Sequence, residues 1–117
     1  MSQQNENLIK QAYAAFNARD IDTALGTMHP EVNWPNGWEG GYVAGPEEVR
    51  KYWTRQWKEV DPHVEPVGFK EKPDGRIEVE VHQIAKDLQG NVLFDGIIQH
   101  IYTIENGLIK NMEIEKP

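Results

Sequence analysis

Three polar side chains fall where two predicted neighbouring strands would place them on one otherwise apolar face. If the turn between these strands centres on Gln89, Gln83 lies opposite Asp95, and Gln99 follows on the same side of the second strand. A bulge in the second strand, for which Gly96 is a plausible place, would exchange part of this assignment. A carboxylate on an apolar face is desolvated, which suits Asp95 to act as a general base or acid. The Gln99 amide could stabilise an enolate oxygen. The sequence thus predicts Asp95 and Gln99 as catalytic residues; the structural alternative is that Asp95 bonds Gln83 at the rim or faces solvent.

The histidines do not predict a metal site. None has a partner at a metal-ligand spacing such as HxxxH, and the chain contains four: His29, His63, His82 and His100. The same pairing places His100 between Glu78 and Glu113 on the outer face, where it is expected to be held by carboxylates. No glycine-rich phosphate loop follows a strand, so no metal and no cofactor is predicted.

All four tryptophans lie between positions 34 and 57, two in a glycine-rich stretch and two on a predicted helix. Large aromatic residues in a loop either plug the end of a core or line a cavity for an apolar ligand. Core packing is the favoured explanation for the helical pair, whereas the loop pair fits either role. The predicted ligand-binding set combines aromatic walls with one polar and one flexible side chain: Tyr13, Trp34, Trp38, Trp53, Gln83 and Met112.

Composition limits the class of protein. With 117 residues, the chain is expected to form one domain over 1–117, and its net charge of -7 without a basic cluster argues against nucleic-acid or anionic-membrane partners. Cysteine is absent, and the N-terminus lacks the basic and apolar regions of a signal peptide. We therefore expect a cytoplasmic protein.

The elements that must position these residues come in two groups. Apolar spacing predicts helices over about 4–18, from 21 to a stop at Pro30, and from Pro46 along a stripe that reaches Val60. A short extended segment over 31–34 follows the second helix. Strands are predicted over 64–70, 76–86, 92–104 and 108–115, the last two joined by a two-residue turn at Asn106 and Gly107. Helices followed by an antiparallel meander predict an α+β fold with helices packed on one face of a curved sheet.

This order of elements resembles the nuclear transport factor 2-like superfamily, also called SnoaL-like or ketosteroid isomerase-like. The resemblance is carried by the helix junction over 13–22 (YAAFNARDID), the segment 99–102 (QHIY) and the closing segment 106–109 (NGLI). It implies a cone with an antiparallel or mixed sheet, whose mouth holds a small hydrophobic molecule. Members of the family include isomerases, polyketide cyclases, dehydratases, epoxide hydrolases and non-catalytic partners.

The best-known chemistry of the family is not expected. The resemblance implies that the isomerase tyrosine, base and protonated aspartic acid would fall at Ala12, Trp34 and Gln99, so all three are replaced. We therefore expect a pocket for a small, mostly apolar or aromatic molecule, with isomerase- or cyclase-like acid/base chemistry through Asp95 if the protein is an enzyme. A non-catalytic binder and an interaction module of the same fold are the alternatives. A homodimer through the outer sheet face is also expected.

Overall fold

The computed structural model of the protein describes residues 3–36 and 40–115. These residues form three helices and six strands in the order α1 (Gln3–Asn17), α2 (Ile21–Leu25), β1 (Met28–Pro35), β2 (Tyr42–Ala44), α3 (Pro46–Trp57), β3 (Val60–Glu71), β4 (Ile77–Asp87), β5 (Val92–Glu105) and β6 (Leu108–Glu115). The α+β class, with helices packed on a curved mixed sheet, is confirmed.

The short strand β2 was not predicted, since the stretch before Pro46 was expected to be a loop, and two element boundaries differ from the sequence prediction. Helix α2 ends at Leu25, and Met28 already begins β1, which runs through Pro30. The Ile109 amide donates to the Thr27 carbonyl at 2.8 Å, and this bond draws the chain into the sheet before the proline is reached. Val60 begins β3 instead of ending the third helix, because α3 stops at Trp57.

The sheet has the strand order β2-β1-β6-β5-β4-β3. The β1–β6 pair is parallel and the other pairs are antiparallel, so the sheet is mixed. Helices α1 and α3 bury one stripe each on the concave face, including Ile9, Tyr13, Val49 and Trp53. The core therefore lies between the helices and one face of the sheet, and the other face is left outside it.

Both turns beside β5 have the predicted geometry. Asn106 and Gly107 have positive φ and connect Glu105 directly to its partner Leu108, as a two-residue hairpin requires. At the other end Lys86 pairs with Val92, as expected for a turn centred on Gln89.

A β-bulge follows each of these turns. Ala85 pairs with Phe94 instead of Leu93, so Leu93 is the extra residue in β5. Thr103 pairs with Asn111 instead of Lys110, so Lys110 is the extra residue in β6. Each bulge shifts the register by one residue, which exchanges the two faces of the strand beyond it.

The bulges reverse the predicted faces of β5. Val79 lies opposite His100 and Val81 opposite Ile98, so these side chains share the concave face. Asp95 and Gln99 therefore point to the convex face. The predicted concave placement of Asp95 and Gln99 is wrong, because it assumed an unbroken register from the turn at Gln89.

Asn17, the last residue of α1, connects the helical layer to the edge of the sheet. Its Nδ2 donates to the Val64 carbonyl at 2.7 Å, and the Val64 amide donates to its Oδ1 at 3.0 Å. Strand β3 has β4 on one side only, so this side chain satisfies backbone groups at an open edge. Asn17 thus acts as a one-residue extension of the sheet.

We predict that Asn17→Ala lowers the free energy of unfolding by about 1–3 kcal/mol, because the part-buried amide and carbonyl of Val64 lose their partner. Urea titration measures the change. Asn7→Ala, on the exposed side of the same helix, is the control and should change stability by less than about 0.5 kcal/mol. Equal stability of the two variants would contradict this role.

Candidate functional site

A cavity of about 640 Å³ lies between the concave face of the sheet and helices α1 and α3. Its wall is mostly apolar, and aromatic rings come from both layers: Tyr13, Phe16, Trp34, Tyr52, Trp53, Phe94 and Tyr102. Among the described residues that line it, none is Asp, Glu, Lys or Arg. The cavity has the size and character of a small-molecule site.

The aromatic wall is a connected set of ring contacts. The Trp34 ring meets Trp53 edge to face with a centroid distance of 5.7 Å, and Phe16 meets Trp53 at 5.1 Å. Trp57 packs behind Trp53 at 5.7 Å. Trp53 therefore belongs both to the core and to the cavity wall, and its position is fixed by neighbours on three sides.

Phe94 reaches the cavity because Gly96 has no side chain. A Cβ atom at Gly96 would lie 3.2 Å from Cζ of the Phe94 ring, closer than a relaxed contact allows. The ring therefore lies across Gly96 at the start of β5, where it stays partly exposed. The bulge at Leu93 and the glycine together place an aromatic side chain at this end of the cavity.

The polar centre of the cavity is a chain of three side chains. The Tyr102 hydroxyl donates to the Tyr13 hydroxyl at 2.8 Å, and the Tyr13 hydroxyl lies 2.7 Å from Nδ1 of His100. Tyr13 and His100 are 6% exposed and Tyr102 is 1% exposed. We refer to Tyr102, Tyr13 and His100 as the Tyr-Tyr-His chain.

Burial keeps this chain uncharged. Desolvation lowers the pKa of His100 to about 4 and raises the pKa of Tyr102 far above its usual value of 10.0. The pKa of Tyr13 is raised by desolvation and by the neighbouring Tyr102. At neutral pH the site therefore offers hydrogen bonds without a formal charge.

Most of the predicted ligand-binding residues line the cavity: Tyr13, Trp34, Trp53, Gln83 and Met112. Trp38 lies outside the described residues. Gln83 lies opposite Gly96 instead of Asp95, and its side chain remains on the concave face.

The two predicted catalytic residues are not part of this cavity. Asp95 Oδ1 lies 2.7 Å from Nε2 of His82, and the Asp95 side chain is 54% exposed on the convex face. Gln99 lies on the same face opposite Glu80 and Glu115. The structure thus brings Asp95 and Gln99 to the outer surface and places His100 where they were expected.

His100 and Tyr102 were missed as site residues because both faces of β5 carry apolar side chains. Ile97 and Ile101 alternate as regularly as Ile98 and Tyr102, so periodicity alone does not choose between them. The one usable signal was Gly96, since a glycine inside a strand often accompanies a bulge. The bulge lies three residues earlier, at Leu93.

Residues 3–36 and 40–115 contain no group of three or more His, Cys, Asp or Glu side chains placed to hold a metal ion. Within the same ranges no helix has the length and apolar character needed to cross a membrane.

The fold agrees with a family match. The SnoaL-like domain family matches residues 9–112, which is most of the chain, and the protein belongs to this family. No protein of curated function matches the sequence.

Solved structures support the same fold. The crystal structure of TerC co-crystallised with polyporic acid is 26% identical, with a TM-score of 0.85 over 98% of this chain and 92% of TerC. An NTF2-like protein of unknown function from Burkholderia pseudomallei is 23% identical, with a TM-score of 0.84 over 100% of this chain and 92% of its own. A protein provisionally named a polyketide cyclase, from Pseudomonas putida, is 18% identical, with a TM-score of 0.79 over 94% and 89%. The last two likenesses concern the fold alone.

Burial of His100 predicts a loss of stability in acid. Its pKa is about 4 in the folded protein against a reference of 6.5, so between these values the unfolded chain binds more protons. The free energy of unfolding therefore falls as the pH decreases through this window, by about 3 kcal/mol in total from this group. His100→Gln should remove that component, measured by urea unfolding at about pH 7.5 and about pH 4.5.

The control for this prediction is His82→Gln. The His82 side chain lies on the convex face and is 39% exposed. The fall in stability caused by His100 should remain in this variant, because an exposed pair such as His82 with Asp95 is worth at most about 1 kcal/mol. If His100→Gln and the parent lose the same free energy on acidification, the imidazole is not held neutral by burial.

Proposed function

We propose that this protein binds a small, mostly apolar or aromatic molecule in the cavity between its helices and its sheet. The observation that carries the proposal is the composition of the wall: about 640 Å³ of space bounded by aromatic rings, without a charged carboxylate, ammonium or guanidinium among its described residues. Apolar ligands gain free energy by leaving water for such a surface, whereas an ion would lose its hydration without a counter-charge.

Similar structures support an aromatic ligand. TerC was co-crystallised with polyporic acid, and its fold agrees with this one over nearly the whole chain. Other proteins of the same fold carry provisional names as polyketide cyclases. The polar groups that would orient such a ligand here are His100 and Gln83, which both line the cavity.

Cyclase- or isomerase-like catalysis without a cofactor is the second part of the proposal. His100 is the candidate base among the residues that line the cavity. Its pKa of about 4 makes it a weak base at pH 7. Cyclase- or isomerase-like chemistry would therefore rely on hydrogen bonding to a developing oxyanion more than on proton abstraction. Asp95 is too exposed, and on the wrong face, to serve as the base.

The alternative is a non-catalytic binder or a dimeric interaction module. A homodimer through the convex face has support from Ile97, which is 40% exposed there beside the His82–Asp95 pair. Such a module would not need a ligand in the cavity. We propose that either form is cytoplasmic, because a chain without cysteine forms no disulfide and needs no oxidising compartment.

Filling the cavity tests the binding proposal. Ala85 lines the cavity, and Ala85→Phe would occupy ligand space. With 1-tetralone as the aromatic probe in an NMR shift titration, the variant should bind at least about tenfold more weakly than the parent, because removing apolar contact area costs at least about 1.4 kcal/mol.

Ala14→Phe is the matched control, since Ala14 lies on the exposed side of α1. It adds the same ring outside the cavity and should bind the probe as the parent does. Loss of binding in both variants, or in neither, would speak against this cavity as the site.

A further inference from the structure

We infer that His100 presents its Nε2–H to the cavity and that this neutral donor makes the site selective for aromatic ligands that carry an uncharged carbonyl oxygen. The inference rests on the proposed function, because it names the ligand class of the same cavity. It adds a defined tautomer, a defined donor atom and the two residues that set them.

The first step is the direction of the Tyr-Tyr-His chain. The Tyr102 hydroxyl donates to the Tyr13 oxygen at 2.8 Å. The hydroxyl proton of Tyr13 then has one acceptor within the Tyr-Tyr-His chain, which is Nδ1 of His100 at 2.7 Å. If Nδ1 donated instead, the Tyr13 oxygen would accept twice and its own buried proton would have no partner, which costs free energy. The arrangement that gives both hydroxyl protons an acceptor leaves Nδ1 as acceptor.

The second step follows from imidazole chemistry. A neutral imidazole with an unprotonated Nδ1 carries its proton on Nε2. The two tyrosines are therefore positioning residues, which hold one tautomer of His100. They do so without charge, because burial disfavours both imidazolium and phenolate here.

The third step concerns the partner of Nε2. Within residues 3–36 and 40–115 the structure gives this atom no hydrogen-bond partner, although His100 is only 6% exposed. Nor is it sealed off, because the one fully buried side-chain atom without a partner in those ranges is Nε1 of Trp57. Since His100 lines the cavity, Nε2–H is a donor that a ligand can reach.

The fourth step is the choice of ligand class. An apolar ligand that covers Nε2–H would strip it of water without replacing the hydrogen bond. A carboxylate would make that bond but would bring a charge into a wall with no described cation. An aryl ketone or a related carbonyl compound satisfies the donor and stays neutral. We expect about a tenfold preference for a ketone over its hydrocarbon analogue, the size of one neutral hydrogen bond.

The tautomer is tested directly by long-range ¹H–¹⁵N NMR of the full chain. The spectrum should show His100 as the Nε2–H tautomer at neutral pH. In Tyr13→Phe, which keeps the ring but removes the hydroxyl that donates to Nδ1, the His100 signals should move toward a mixture of tautomers. A His100 with its proton on Nδ1 in the parent, or a tautomer unaffected by Tyr13→Phe, would overturn the assignment.

The selectivity is tested with 1-tetralone and tetralin, which share a bicyclic frame and differ by one carbonyl. The parent should bind 1-tetralone about tenfold more tightly than tetralin, and the His100 Nε2 resonance should shift with 1-tetralone only. In the combined variant Tyr13→Phe, Tyr102→Phe and His100→Leu, the ratio should fall to about one. Replacing all three residues of the Tyr-Tyr-His chain avoids freeing a hydroxyl that could bind the ketone itself. Apolar replacement of a satisfied hydrogen-bond network tends to preserve folding.

His82→Leu is the control, because His82 lies on the convex face and its change should leave the ratio intact. Equal binding of the two ligands by the parent, or a preference that survives in the combined variant, would overturn the inference and leave the binding proposal standing. Failure of the parent to bind either ligand would overturn the binding proposal as well.

Discussion

The positions of the two β-bulges beside β5 decide which side chains the concave face receives. Leu93 shifts the register between β4 and β5, and Lys110 shifts it between β5 and β6. The two shifts depend on each other. With the first alone, His100 would stand opposite Glu113, and the inward face of β6 would carry charge; the second restores Met112 opposite Tyr102.

The result of this register is a buried polar group that costs little. His100, Tyr13 and Tyr102 are nearly inaccessible to water. Both hydroxyls and Nδ1 have a hydrogen-bond partner at 2.7 or 2.8 Å. Asp95 in the same layer would have needed a cation that the described cavity wall does not provide. On the convex face the Asp95 carboxylate instead has His82 at 2.7 Å and solvent around it. The bulges thus separate the His82–Asp95 pair from the uncharged Tyr-Tyr-His chain.

The helices, the long strands and the turns beside β5 were predictable from the sequence because their causes are local. Apolar spacing along α1, the proline at the start of α3 and the Asn106–Gly107 pair each act within a few residues. The bulges have no comparable local signature. Leu93 and Lys110 become extra residues because packing beyond them favours the shifted register. Either of the two alternating sets of side chains in β5 is apolar enough to be buried. This is why Gln83 and Met112 were placed correctly while Asp95, Gln99 and His100 were each assigned to the wrong face.

The shifted register changes what this member of the SnoaL-like family can do in its cavity. Trp34 stands where the family resemblance implies the isomerase base, and its ring is fixed against Trp53 and Tyr102 as part of the wall. A wall at that position removes the carboxylate that would abstract a proton, and the bulges turn the other candidate, Asp95, outward. The His100 imidazole, which takes the inward position, is neutral and accepts a hydrogen bond at Nδ1. It can therefore donate a hydrogen bond to a ligand from Nε2. Whether that donation only holds a ligand or also stabilises an oxyanion depends on the reactivity of the molecule bound, since the same N–H does both.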